Sequence, residues 1–135
     1  MARAAQGPRR PFLAAVCAAA VLSGMPARAE GDAARGQRVF QRCFSCHSVN
    51  PDERNLQGPN LAGVIGRRAG TLPQFEYSDA MIAAGRAGLV WSEETLDKYV
   101  QDPQAMVPAT AMGPVRLSNP ADRADLIAYL RSAGR

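Results

Sequence analysis

Histidine is nearly absent from this chain of 135 residues: His47 is the only one. That excludes any site built on a histidine pair. Cysteine is almost as scarce, at Cys17, Cys43 and Cys46. Aromatic residues make up 6% of the sequence, so the core has few large side chains to draw on. No aspartate or glutamate precedes Glu30. The longest apolar run, "FLAAVCAAAVL" at 12–22, is too short for a bilayer, which needs roughly 20 residues. No alternating strand pattern rises above noise, which argues against an α/β redox fold.

What is present at the start of the chain is an export signal. Arg3, Arg9 and Arg10 precede the apolar run, and "SGMPARA" follows it, ending in the small-x-small sequence Ala27-Arg28-Ala29. That order predicts a secretory signal peptide over 1–29, cleaved before Glu30, and a periplasmic domain over 30–135. "RRPFL" resembles a twin-arginine signal, but Pro8 stands where Ser or Thr is usual, and Val16 before Cys17 does not suit lipoprotein processing. Residues 30–135 carry twelve basic and twelve acidic side chains, so the net charge of +4 belongs to the leader. It is no evidence for nucleic-acid binding.

Residues 30–135 read as one all-α domain with long loops. A helix is predicted over 32–46, capped by Asp32, with Ala33, Gly36, Val39, Phe40 and Cys43 at helical spacing. Residues 48–90 are turn-rich apart from a short helix at 78–85. Ser92 caps a third helix that Pro103 ends, with Glu94 and Lys98 four apart. Residues 103–118 read as loop. Asn119 and Pro120 open the last helix, Leu126, Ile127 and Leu130 stripe it, and Gly134 ends it. Loops this long are uncommon in compact domains and need something to wrap around.

The stretch Cys43-Phe44-Ser45-Cys46-His47 concentrates the chemistry. A structural zinc site wants four ligands, and only three are here. A thioredoxin-like pair should follow a strand, and none is predicted. A disulfide across so short a loop would constrain little of the unfolded chain. Covalent haem attachment, for which C-x-x-C-H is a specific signature, is the reading we adopt. Cysteines three apart at a helix end share a face, so both thiols can add to the vinyl groups of one porphyrin, with His47 reaching the iron. One haem per chain also gives the loops an apolar body to pack on.

The second axial ligand cannot be histidine. A methionine or an open site remains, and the methionines after residue 30 are Met81, Met106 and Met112. Met112 stands out because it follows the Pro-containing loop "VPATAM" between two helices. Ligation by His and Met leaves no open site for oxygen and favours electron transfer over catalysis.

At this point the chain resembles a class I c-type cytochrome, similar to the bacterial cytochrome c2 and mitochondrial cytochrome c group. The segments "GDAARGQRVFQRCFSCH", "GPNLAGVIGRRAG", "FEYSDAM", "WSEETLDKY", "VPATAM" and "RADLIAYLR" carry the resemblance in the family's order. It implies the small cytochrome c fold, three to five helices and long loops around one haem. It implies that Pro59 accepts a hydrogen bond from His47, fixing its tautomer. Gly36 and Phe40 would meet Leu126 and Tyr129 where the terminal helices cross. Arg67, Tyr77, Ser78 and Trp91 match positions that hold the haem propionates, and Tyr99 one beside the methionine sulfur.

The resemblance also implies a monomeric one-electron carrier that is not an enzyme, does not span the membrane and binds no nucleic acid. Its partners would be redox proteins: a cytochrome bc1-type complex, an oxidase, a reaction centre or a dehydrogenase. The departures from the family pattern are Met81 for an asparagine, Pro114 for an aromatic, and Gln104, Ala105 and Ala111 for lysines. Arg38, Arg42 and Arg116 supply some positive charge, but the ring around the haem edge is incomplete. The same rim suits a dedicated redox subunit of a periplasmic dehydrogenase. A haem enzyme or gas sensor with an open iron site is a third reading, and it predicts ready carbon monoxide binding.

Overall fold

The computed structural model describes Met1, residues 30–113 and residues 115–133. The signal peptide expected at 1–29 therefore falls, apart from Met1, outside the described residues, as do Pro114 and the helix stop expected at Gly134. The described residues form five helices: α1 Ala33–Phe40, α2 Asp79–Arg86, α3 Glu93–Gln101, α4 Pro103–Met106 and α5 Pro120–Ser132. Their only β pairing is an isolated antiparallel bridge between Arg68 and Val90.

The caps read from the sequence are in place. The Asp32 side chain accepts from the Arg35 N–H, and that of Asn119 from the Ala121 N–H. Ser92 and Thr95 form a reciprocal capping box at the start of α3. The exposed Glu94–Lys98 pair closes at 2.6 Å.

Two expectations need correction. The first helix stops at Phe40 rather than continuing to 46. Beyond it the backbone tightens: the N–H groups of Gln41, Arg42 and Cys43 bond carbonyls three residues back. The stretch 103–118 is not all loop, because Pro103 opens α4 instead of only ending α3. Its fixed φ suits a first helical position, and the Asp102 side chain caps the new turn by accepting from the Ala105 N–H at 3.2 Å.

The terminal helices set the frame. α1 crosses α5 with Gly36 at the contact: a Cβ there would lie 1.9 Å from the Asp125 carbonyl oxygen and 2.7 Å from Tyr129 Cβ. The Phe40 and Tyr129 rings pack at a tilt beside it, with centroids 5.5 Å apart and planes at 52°. The core then runs through Leu96 and Val100 of α3 to Leu126, Ile127 and Leu130 of α5.

Two buried charges on α5 are fully partnered, as burial requires. Asp125 accepts from the Asp32 N–H at 2.7 Å and from Arg35 through Nε at 2.7 Å and Nη2 at 2.9 Å. Arg123 donates to Asp97 at 2.9 Å and to the carbonyls of Leu117 and Ser118 at 2.8 and 2.9 Å. The long 48–78 connection is ordered by its own side chains. Buried Asn60 donates to the carbonyls of Asn50 and Glu53 and accepts from the Ala62 N–H.

Candidate haem site

Residues 41–46 follow α1 as turns, and those turns aim the motif. The N–H groups of Cys46 and His47 both bond the Cys43 carbonyl, at 3.0 and 2.9 Å. Cys43 packs against the core, and burial pushes its thiol pKa up despite nearby Arg42. The Cys46 sulfur lies 3.7 Å from Ser45 Oγ and 3.6 Å from Gln57 Oε1. Both thiols are free. The pair thus remains available to an electrophile instead of being spent on each other.

His47 is held from two sides. Nδ1 lies 2.8 Å from the Pro59 carbonyl, which can only accept, so Nδ1 carries the proton and Nε2 is left with its lone pair. The second wall is Gly58: a Cβ there would come within 2.3 Å of the ring. The Gly58 N–H bonds the Cys46 carbonyl at 2.8 Å, which ties this wall to the motif. Burial lowers the His47 pKa, and the bond to Pro59 opposes that in part. A neutral imidazole with one free nitrogen is what a metal ligand must be.

The 107–112 loop is organised around Thr110, which the sequence reading did not single out. Thr110 is buried; its hydroxyl lies 2.8 Å from Tyr99 Oη, and it accepts weakly from the Met112 N–H at 3.4 Å. Its position two residues before Met112 was the available signal. Met112 is half-buried and packs against the core, while Met81 on α2 is buried within it. Tyr99 also meets Trp91, with ring centroids 4.9 Å apart.

The residues assigned to propionate binding share one region. Arg67 and Trp91 are joined by the backbone: the Trp91 N–H bonds the Arg67 carbonyl at 2.8 Å. The Arg67 guanidinium bonds the carbonyls of Asn60 and Ala62, and burial lowers its pKa against the opposing effect of Tyr77. Tyr77 is half-buried edge-on to Phe75 at 4.7 Å, and burial raises its pKa. Ser78 caps α2 with its hydroxyl oxygen, accepting from the Met81 N–H at 3.3 Å.

The donor set fits a covalently held haem. Two free thiols sit three residues apart, the adjacent imidazole presents only Nε2, and a thioether lies on a loop pinned by a buried threonine. Comparison with known proteins agrees. The family model described as Cytochrome c matches residues 33–134. The chain is 47% identical to cytochrome c2 of Rhodomicrobium vannielii, covering 86% of this chain and 90% of that one. It is 40% identical to cytochrome c2 iso-1 of Rhodospirillum centenum, over 76% of this chain and 97% of that one. The solved structure of cytochrome c2 from Rhodospirillum centenum superposes with a TM-score of 0.74, covering 78% of this chain and all of that chain.

Proposed function

The chain belongs to the cytochrome c family, as a class I c-type cytochrome closely matching the bacterial cytochromes c2, and is an electron carrier rather than an enzyme; from that premise we propose how its residues do the work. Cys43 and Cys46 would hold one haem c, each through a thioether bond. His47 Nε2 and Met112 Sδ would bind its iron. When bound, the haem supplies an iron that exchanges one electron between ferric and ferrous states. The observation that carries this reading is the Nδ1 bond to Pro59, which commits the only histidine to presenting Nε2.

Pro59 and Gly58 keep the His47 ring in one orientation and one tautomer. Tyr99 and Thr110 limit the excursion of the Met112 loop. Arg67, Tyr77, Ser78 and Trp91 form the polar end that receives the propionates. Trp91, Leu96 and Leu126 are buried together in the core that backs the site. A site held so firmly needs little rearrangement when its charge changes by one electron.

The partner is a redox protein of the periplasm, reached after removal of residues 1–29. A cytochrome bc1-type complex as donor, with a reaction centre or oxidase as acceptor, is the first reading. The second, a dedicated subunit of a periplasmic dehydrogenase, is favoured by one observation: Arg116 is paired with Asp102 at 3.1 Å, which further depletes the positive rim.

Covalent attachment is tested by unfolding the holo-protein in acid and extracting with organic solvent. Haem should stay with the chain. Cys43→Ser or Cys46→Ser should leave a single thioether, seen as a shift of the pyridine haemochrome band. Haem that extracts freely from the native sequence would overturn the assignment.

A further inference from the structure

We propose that Gln104 is a positioning residue that clasps the Met112 loop shut. Gln104 lies on α4, just before the loop. Its side-chain amide reaches two backbone groups across the turn: Nε2 donates to the Thr110 carbonyl at 3.0 Å, and Oε1 accepts from the Ala109 N–H at 3.1 Å. One partner is an acceptor and the other a donor, so only one orientation of the amide satisfies both.

The clasp closes on a turn that resists it. Ala109 has φ +65°, a left-handed conformation that a residue with a Cβ adopts only at a cost. Nothing in the loop's own composition favours that conformation, so the bonds from Gln104 help to hold it. From Ala109 the constraint passes directly to Thr110, whose hydroxyl meets Tyr99 on one side and the Met112 N–H on the other. Asp102 anchors the other end by capping α4. The path from α4 to Met112 is thus a closed set of named hydrogen bonds. Gln104 is the one exposed side chain that bridges it.

The inference rests on Met112 being the iron ligand, and the test separates the two ideas. The probe is imidazole binding to the ferric holo-protein, a rate limited by how often the loop carries Met112 away. Hydrogen exchange at the Ala109 amide reads the clasp without reference to iron. Gln104→Ala should speed both by about fivefold, as expected for two neutral hydrogen bonds partly shared with water. Adding Ala109→Gly removes the backbone strain and should slow both again. Exchange unchanged in Gln104→Ala, or faster exchange with an unchanged imidazole rate, would overturn the proposal. If Met112→Ala binds imidazole no faster than the native protein, the ligand assignment fails, while Ala109 exchange still decides the clasp.

Discussion

Gly58 lies flat against the imidazole of His47: a Cβ at position 58 would stand 2.3 Å from the ring Cε1 and 2.7 Å from Nδ1. Both distances are far inside van der Waals contact, and the ring's Nδ1 is already held by the Pro59 carbonyl at 2.8 Å. Gly58→Ala therefore forces the imidazole to swing and to break its Nδ1 bond. The expected outcome is a loss of about 1–3 kcal/mol of stability from overpacking, together with weakened axial bands. Chemical denaturation and the visible spectrum measure the two effects. A variant with native spectrum and native midpoint would show that the wall is not rigid.

The close fit at Gly58 was not legible in the sequence, and the reason is general. A motif fixes which atoms react, whereas a glycine's neighbour across space is set by the folded backbone. Cys43, Cys46 and His47 could be singled out as candidates because haem attachment needs those residue types at that spacing. The caps at Asp32, Ser92 and Asn119 were readable because capping is local. Thr110 carried no signal because a threonine in a loop has neither periodicity nor motif, and Gln104 stood out only as an uncharged residue in place of a lysine, because its bonds to Ala109 and Thr110 depend on the turn that α4 creates. Helix α4 was missed because proline both ends and begins helices, and only the Asp102 cap decides between them. The stop of α1 at Phe40 was missed because 3-residue and 4-residue turns share the same apolar spacing at a helix end.

Gly36 at the α1–α5 crossing sets two effects against each other. Alanine is the better helix former by about 1 kcal/mol. Its Cβ, however, would sit 1.9 Å from the Asp125 carbonyl oxygen, which is backbone and cannot rotate away. The helices must separate, loosening the Phe40–Tyr129 pair as well. The clash should win, with Gly36→Ala destabilising by about 2 kcal/mol or more. A thermal midpoint equal to or above the native value would show that α1 can slide without cost.

Asp125 gives stability a pH dependence of known sign. Hydrogen bonds from Arg35 and then from the Asp32 N–H hold its carboxyl below the usual carboxylate range. The folded state thus favours the ionised form. Its contribution is complete above the unfolded pKa of about 4 and is lost as pH falls through the lower folded value. Asp125→Asn should lie well below the native protein in denaturant midpoint near neutrality, and the gap should shrink below about pH 4. A gap that does not change with pH would mean that the variant acts by packing alone.

Met112→Ala should abolish the sulfur-to-iron absorption band in the far red, while Met81→Ala and Met106→Ala keep it. Met81 is buried on α2 and serves the core, so its removal should instead cost about 2–5 kcal/mol of stability. Tyr99→Phe is a gentler probe of the same loop. It removes the 2.8 Å contact with Thr110 and should lower stability by about 1 kcal/mol with the band intact. Loss of the band in Met81→Ala or Met106→Ala instead would reassign the ligand.

The rim predicts how the protein meets its partner. The chain's only lysine, Lys98, is engaged with Glu94, and Arg116 with Asp102. Gln104 and Ala105 on α4 and Ala111 on the loop before Met112 carry no charge, which leaves Arg38 in the last turn of α1 and Arg42 just beyond it as exposed cations. Exposed apolar residues lie close by: Phe44 inside the motif, and Leu56 beside Gln57, whose side chain meets the Cys46 sulfur. Docking that gains more from apolar contact than from charge is weakly screened. Electron-transfer association with a purified membrane redox partner should therefore change less than about fivefold between roughly 0.01 and 0.2 M salt. Phe44→Ala or Leu56→Ala should slow it more than Arg42→Ala does. A steep fall with salt, or a dominant effect of Arg42, would restore electrostatic steering as the principle of docking.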